Sequence, residues 1–161
     1  MVRSLNPNNV VALIDTREQC PFDLSPLAME PATLATGDYS VKGLESFVAI
    51  ERKSLTDLLA CCGRERDRFE RELHRLLSYS VKAVVVESSW AAVDFGQWRS
   101  QITSKQVSGS IIGWISLGVP FILAGTRERA AAITSRMLFT AARRRLRECD
   151  ELLKAVDQPT D

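Results

Sequence analysis

The stretch that decides the fold is Gly37-Asp38-Tyr39, a short polar turn, and then Phe47-Val48-Ala49-Ile50-Glu51-Arg52-Lys53-Ser54. It reads as two strands joined by a turn that contains Gly43, because 47–50 is apolar and rich in strand formers. A buried strand that ends in Glu-Arg-Lys must pair those charges or use them. Side chains alternate along a strand, so Glu51 and Lys53 point to one face and Arg52 to the other. Asp38, on the partner strand, reaches the Glu51/Lys53 face. Two carboxylates and a lysine thus converge at a sheet edge. Carboxylate oxygens suit a hard divalent cation such as Mg²⁺ (or Mn²⁺). A lysine beside the metal can orient or help deprotonate a water, and the metal stabilises charge on a phosphoryl oxygen. Acid-x-Lys triplets also arise by chance, so the surroundings have to decide.

At 161 residues, with 45% hydrophobic and 25% charged residues, the chain reads as one ordinary globular domain. No apolar run approaches the roughly 18 residues of a membrane span, and residues 1–9 lack a signal-peptide core, so a cytoplasmic protein away from membranes is expected. In a eukaryote the expected compartment becomes the nucleus. Cys20, Cys61, Cys62 and Cys149 form no metal-type spacing and read as reduced thiols. The net charge is only +1, so nucleic-acid binding must come from local clustering of the 21 Lys and Arg. There is no Walker or GxGxxG glycine pattern.

Before the deciding stretch, Val10 to Ile14 reads as a buried strand ending in Asp15-Thr16-Arg17-Glu18. Charges at such strand ends are where open α/β sheets place ligand sites, and the alternative is a polar loop with an Asp–Arg pair, which the segment taken alone slightly favours. Pro21, Pro26 and Pro31 mark an irregular connection, with one helical turn expected around 24–29.

After it, Ser54 or Thr56 caps a helix with Asp57 in its first turn, and Gly63 interrupts that helix. A second helix over 64–79 buries Phe69, Leu73, Leu76 and Leu77 along one face. Asp67 with Arg71, and Glu72 with Arg75, have the spacing of helical ion pairs. The less offset cluster Arg64, Arg66, Arg68 is a candidate phosphate contact. His74 reads as a surface residue paired with Glu70. A strand over 81–87, a short helix or loop over 90–98, a helix over 104–117 and a strand over 119–124 follow. Thr126 caps a last helix carrying Arg143-Arg144-Arg145 and Arg147. Those arginines suit either a helix C-terminus or DNA. Residues 1–9 read as an arm, 10–147 as the domain, and 148–161 as a helix end and frayed tail. Strands alternating with helices predict a parallel region covered on both faces, with the antiparallel hairpin at the active edge.

Four motifs in this order resemble the XPF/Hef-type nuclease domain, a branch of the restriction-endonuclease-like PD-(D/E)xK superfamily. They are Asp15-Thr16-Arg17-Glu18, Gly37-Asp38-Tyr39, Glu51-Arg52-Lys53-Ser54 with Asp57, and a Gly63-to-Phe69 segment. The resemblance covers about residues 10 to 145 and implies an α/β three-layer domain, a mixed sheet with helices on both faces. It implies a metal-dependent endonuclease cutting DNA near flaps, forks or junctions. Asp38 and Glu51 would bind metal with Asp15 as a further carboxylate, and Lys53 would assist the water. Arg17, Glu18, Arg52 and Asp57 would hold the site or touch the scissile phosphate, although Arg52 alone could pair with an acid on the far face. The tandem helix-hairpin-helix motifs into which most family members continue are not read in these 161 residues, and a chain without them is expected. A homodimer or a partner subunit is implied, with the helices of Trp114 and Met137 as candidate faces. A non-catalytic DNA-binding module of the same fold and a Holliday-junction resolvase-like nuclease are the competing readings.

Overall fold

The computed structural model describes residues 5–157. A six-stranded mixed sheet forms its centre. The strands are β1 (Val11–Asp15), β2 (Ala28–Ala32), β3 (Tyr39–Val41), β4 (Val48–Lys53), β5 (Val81–Val86) and β6 (Phe121–Leu123), in the spatial order β2-β1-β3-β4-β5-β6. β3 runs antiparallel to both β1 and β4, and the remaining pairs are parallel. The helices are α1 (Leu55–Cys62), α2 (Arg66–Leu76), α3 (Trp90–Phe95), α4 (Ser104–Leu117) and α5 (Arg127–Val156). Helices follow β4 and β5 and form the crossovers to the next parallel strand, α5 follows β6, and β1 and β2 pair in parallel through a non-helical connection.

The period of two in β5 shows how the layers are built. Ala83 and Val85 face the layer of α5, with Val48, Ile50, Tyr39 and Leu138. Val84 and Val86 face the opposite layer, with Leu58, Phe69, Leu73, Ile111 and Trp114 from α1, α2 and α4. From Ala83 to Val86, β5 has no polar face because both of its sides are covered. The same alternation in β4 sends Val48 and Ile50 to α5 and Ala49 to the other helices.

Several expectations need correction. The proline-marked connection forms no helical turn at 24–29; it ends in β2, an exposed edge strand paired with β1 from Val11↔Ala28 to Asp15↔Ala32. Pro31 obscured it, yet an edge strand tolerates the missing N–H. The helix expected over 64–79 is shorter, since Gly63 and Arg64 lie in the turn that precedes α2. α5 continues to Val156, so the expected boundary at 147/148 falls inside a helix. Arg143 to Arg147 therefore sit in the body of α5, not its last turn. Residues 158–161 of the expected tail, and 1–4 of the arm, lie outside the described residues. All four cysteines are free thiols, and among the described residues no helix is long and apolar enough to cross a membrane.

Candidate active site

The site starts from a glycine. Gly37 has φ +79°, and a Cβ there would stand 3.0 Å from the Ile50 carbonyl oxygen. Only glycine takes this backbone shape and proximity without strain. The close approach lets the Asp38 N–H donate to the Ile50 carbonyl at 2.8 Å. Asp38 Oδ2 in turn accepts from the Arg52 backbone N–H at 2.7 Å. The carboxylate is thereby pinned across the β3–β4 ladder, beside Glu51.

Glu51 is 8% exposed, although it lies at the C-terminal end of β4. Its Oε1 accepts from Lys53 Nζ at 2.5 Å. The ammonium also stands 5.0 Å from the centre of the Phe69 ring, which holds it in place. Asp38, Glu51 and Lys53 line one open pocket of about 250 Å³, together with Asp15, Arg17 and Arg68. Glu72 and Arg75 of α2 complete its wall. These last two were missed as site residues. Their signal was the stripe Arg68, Glu72, Arg75 at i, i+4, i+7, one position off the apolar face of α2. Among the described residues Glu72 pairs with Arg68, at 3.4 Å, and not with Arg75. The Asp67–Arg71 and Glu70–His74 pairs do not form; Glu70 is taken by Arg66 at 2.9 Å.

The electrostatics separate the acids. Burial, and then the charge of Glu51, push Asp38 up from 3.8 to about 7. Burial also pushes Glu51 up, opposed by the charge and hydrogen bond of Lys53. Burial would lower Lys53, but Glu51 outweighs it and holds the ammonium above its ordinary value. Lys53 is therefore a fixed positive charge at neutral pH, able to orient a water or a phosphate, and a poor base.

Asp15 was expected as a further metal carboxylate. Its oxygens are instead occupied: Arg17 Nε at 2.6 Å, Arg17 Nη2 at 3.0 Å and the Leu34 N–H at 2.8 Å. The Arg17 hydrogen bond, against the effect of burial, keeps Asp15 below the usual carboxylate range. The 71% exposed Arg17 side chain projects at the pocket rim. Asp15 thus positions Arg17.

Arg52 and Glu18 lie on the far face, as the alternation of β4 requires. Arg52 pairs with Glu87 and, at 3.3 Å, with Glu18. Arg127, the first residue of α5, reaches the same Glu87 at 2.9 Å. The guanidinium carbons of Arg52 and Arg127 lie 5.6 and 5.1 Å from the centre of the Phe22 ring. Glu87 and Arg127 were not foreseen, since nothing in the sequence joins residues 40 apart. This cluster ties β4, β5 and α5 together behind the pocket. Asp57 does not reach the pocket either: it accepts from Ser54 Oγ at 2.7 Å and donates its backbone N–H to the same hydroxyl at 3.1 Å. It closes the cap of α1.

The arginine cluster before and within α2 is divided. Arg68 lines the acidic pocket. Arg66 packs between helices, donating to Ser110 Oγ at 2.9 Å with its guanidinium carbon 5.3 Å from the centre of the Trp114 ring. Arg64 is exposed and lines a different concavity.

The donor set fits a hard divalent ion. Among the described residues, Asp38 Oδ1 and Glu51 Oε2 accept no hydrogen bond from the protein, and no group of three acids, histidines or cysteines forms a closed cage. Two adjacent carboxylates facing an open pocket match Mg²⁺, which keeps several waters. The raised proton affinity of both acids marks a place where added positive charge is favourable.

The fold and pocket define an α/β domain with an acid–lysine centre at the C-terminal end of a sheet strand, the architecture expected from the sequence. The solved structures identify that architecture more closely. The chain has the fold of XPF from Aeropyrum pernix, with a TM-score of 0.66 and 17% identity over 81% of this chain. A second structure of XPF from Aeropyrum pernix, in complex with DNA, matches with a TM-score of 0.60 and 17% identity over 82% of this chain. This chain spans 61% and 64% of those two chains. No family model and no curated protein matches.

Proposed function

We propose that this chain is a divalent-metal-dependent endonuclease that hydrolyses phosphodiester bonds of DNA near branches such as flaps, forks or junctions. The observation that carries the reading is the geometry of β4. Glu51 and Lys53 are locked together in a buried pair and open, with Asp38, onto a pocket rimmed by cations. Similarity in fold to a protein solved with DNA supports it.

Asp38 and Glu51 would hold Mg²⁺ or Mn²⁺ through their free oxygens. A bound divalent ion supplies Lewis-acid stabilisation of the phosphoryl oxygens and lowers the pKa of a coordinated water. Lys53, pinned by Glu51 and Phe69, offers a positive charge at a fixed point. Arg17 and Arg68 at the rim suit non-bridging phosphate oxygens, where guanidinium groups bind with two donors. Arg52, Glu18 and Asp57 act by holding the strand ends and the cap. A second copy or a partner subunit belongs to this reading. Ile112 and Ile115 of α4, 60% and 42% exposed, form the apolar face it would cover. Trp114 itself is buried.

The test is incubation of the purified protein with end-labelled duplex, flap, fork and four-way-junction DNA in Mg²⁺, Mn²⁺ or EDTA, beside Asp38→Ala and Lys53→Ala. Metal-dependent cuts near a branch that vanish in both variants are expected. Full cleavage by either variant would reject the assigned chemistry. Binding without any cleavage would favour a non-catalytic module, and cuts placed symmetrically at four-way junctions would favour a resolvase.

A further inference from the structure

A second concavity, of about 580 Å³, lies between α1, the α1–α2 turn and the loop that leads into α4. Arg64 comes from the turn, and Trp98 and Arg99 from the loop. Its lining contains no acid, in contrast to the first pocket. Arg64 and Arg99 are exposed, and among the described residues neither is held in an ion pair, whereas Arg66 and Arg68 are both paired with glutamates. Trp98 is half-buried: one side packs on the helix-side core, its Nε1–H donates to the Ile102 carbonyl at 2.7 Å, which fixes the indole in the loop, and its remaining surface lines the concavity. Thr56 and Ser100 add hydroxyls to the wall. Thr56 is three residues past Lys53, so it lies at most about 11 Å of chain from the lysine.

We propose that this concavity binds an unpaired DNA strand, with a base against Trp98 and phosphates on Arg64 and Arg99. Two unpaired cations alone would serve any phosphate backbone. A fixed indole in the same concavity favours an exposed base face, which a stacked duplex does not offer and a single strand does. The inference rests on the nuclease reading of the neighbouring pocket, and supplies it with a grip on the single-stranded arm of a branched substrate. It also gives Arg64 a partner different from that of Arg68, four residues away.

The test is binding by fluorescence anisotropy in EDTA, so that nothing is cut. The 161-residue protein is titrated with labelled oligo(dT) and with a blunt duplex of equal length, over a salt series. Arg64→Ala/Arg99→Ala should weaken oligo(dT) binding about tenfold and flatten its log–log salt slope by about 1.4, with duplex affinity changed much less. Trp98→Leu should weaken oligo(dT) binding about tenfold, while Trp98→Phe keeps most of it. Arg129→Ala/Arg136→Ala, on α5, is the charge-matched control. Loss of the Trp98 hydrogen bond disturbs the loop, so the arginine pair, which leaves Trp98 in place, carries the decision. The proposal is overturned if that pair weakens oligo(dT) no more than the α5 control does. It is also overturned if duplex and oligo(dT) affinities fall together, or if wild-type protein does not bind oligo(dT). Branch cleavage with oligo(dT) binding unaffected by the pair removes this inference alone. Oligo(dT) binding lost in the pair, without cleavage by wild-type protein, upholds it and removes the nuclease reading.

Discussion

Replacing Asp38 by Asn should stabilise the metal-free protein, and more so as pH rises. The cause is the proton affinity of Asp38, raised from 3.8 to about 7 by burial and by Glu51. A carboxyl with a raised folded pKa favours the folded state fully below its unfolded pKa. That contribution is lost as pH rises through the folded pKa. The shift of about 3 units, at 1.36 kcal/mol each, sets a ceiling of about 4 kcal/mol on the penalty carried by the ionised group at pH 8. Much of it develops between about pH 5 and pH 8, and solvent reaching the open pocket reduces that part to roughly 1–2 kcal/mol. Asparagine keeps an oxygen to accept the Arg52 N–H and carries no charge, so it escapes the penalty. Urea denaturation of both proteins in EDTA, from about pH 5 to pH 8, measures the difference. At the upper end of that range the variant should melt about 4 °C higher or more than wild type. Added Mg²⁺ should raise the melting temperature of wild type at pH 8 and leave the variant nearly unchanged. A stability difference that is flat with pH would refute the claim that Asp38 is held against ionisation.

Arg52→Ala should cost about 3–5 kcal/mol, because Glu87 and Glu18 lose a buried partner; a loss below about 1 kcal/mol by denaturant melt would show that the far-face cluster is not structural. Gly37→Ala should cost about 2 kcal/mol or more, through positive φ and the contact with the Ile50 carbonyl. An unchanged melting temperature would mean that the 37–39 turn relaxes freely. Arg66→Ala should leave DNA affinity and its salt slope unchanged while lowering stability by about 1 kcal/mol, whereas Arg68→Ala/Arg75→Ala should weaken DNA binding and flatten the slope by about 1–2. Equal salt slopes for the two variants would mean that the pocket assignment of α2 is wrong.

The layered fold and the facing of Asp38, Glu51 and Lys53 were legible because both rest on period two. An apolar strand that ends in alternating charge fixes what each face receives. Two caps were legible from local residue type, and Ser54 and Thr126 cap their helices; the Thr103 cap of α4, closed into a box with Gln106, was not foreseen. β2 was not legible, since its pairing with β1 is non-local and its composition is that of a loop. The Asp15–Arg17 pair and a far-face acid for Arg52 were both open readings of the sequence; what it could not supply was which acid Arg52 meets and that Arg17 takes both oxygens of Asp15. Glu87 arrives from just past the end of β5, 35 residues away. The arginines at 64–68 share a sequence neighbourhood but diverge because a turn and a helix point them to three separate surroundings.

The junction of β4 and α1 has a consequence for how this chain tolerates change. Five residues, Ala49 to Lys53, carry two apolar contacts on opposite faces, an acid, a far-face tether and the lysine in strict alternation, and Ser54 then caps the helix. Insertion or deletion of a single residue there would exchange the two sides. The tether would be thrust into the acidic pocket, and the acid and lysine would be driven against the Phe22 and Tyr39 rings. Length variation is therefore expected to be tolerated in the 42–46 turn, and a one-residue change between Ala49 and Ser54 to disable the pocket and the packing behind it in the same stroke.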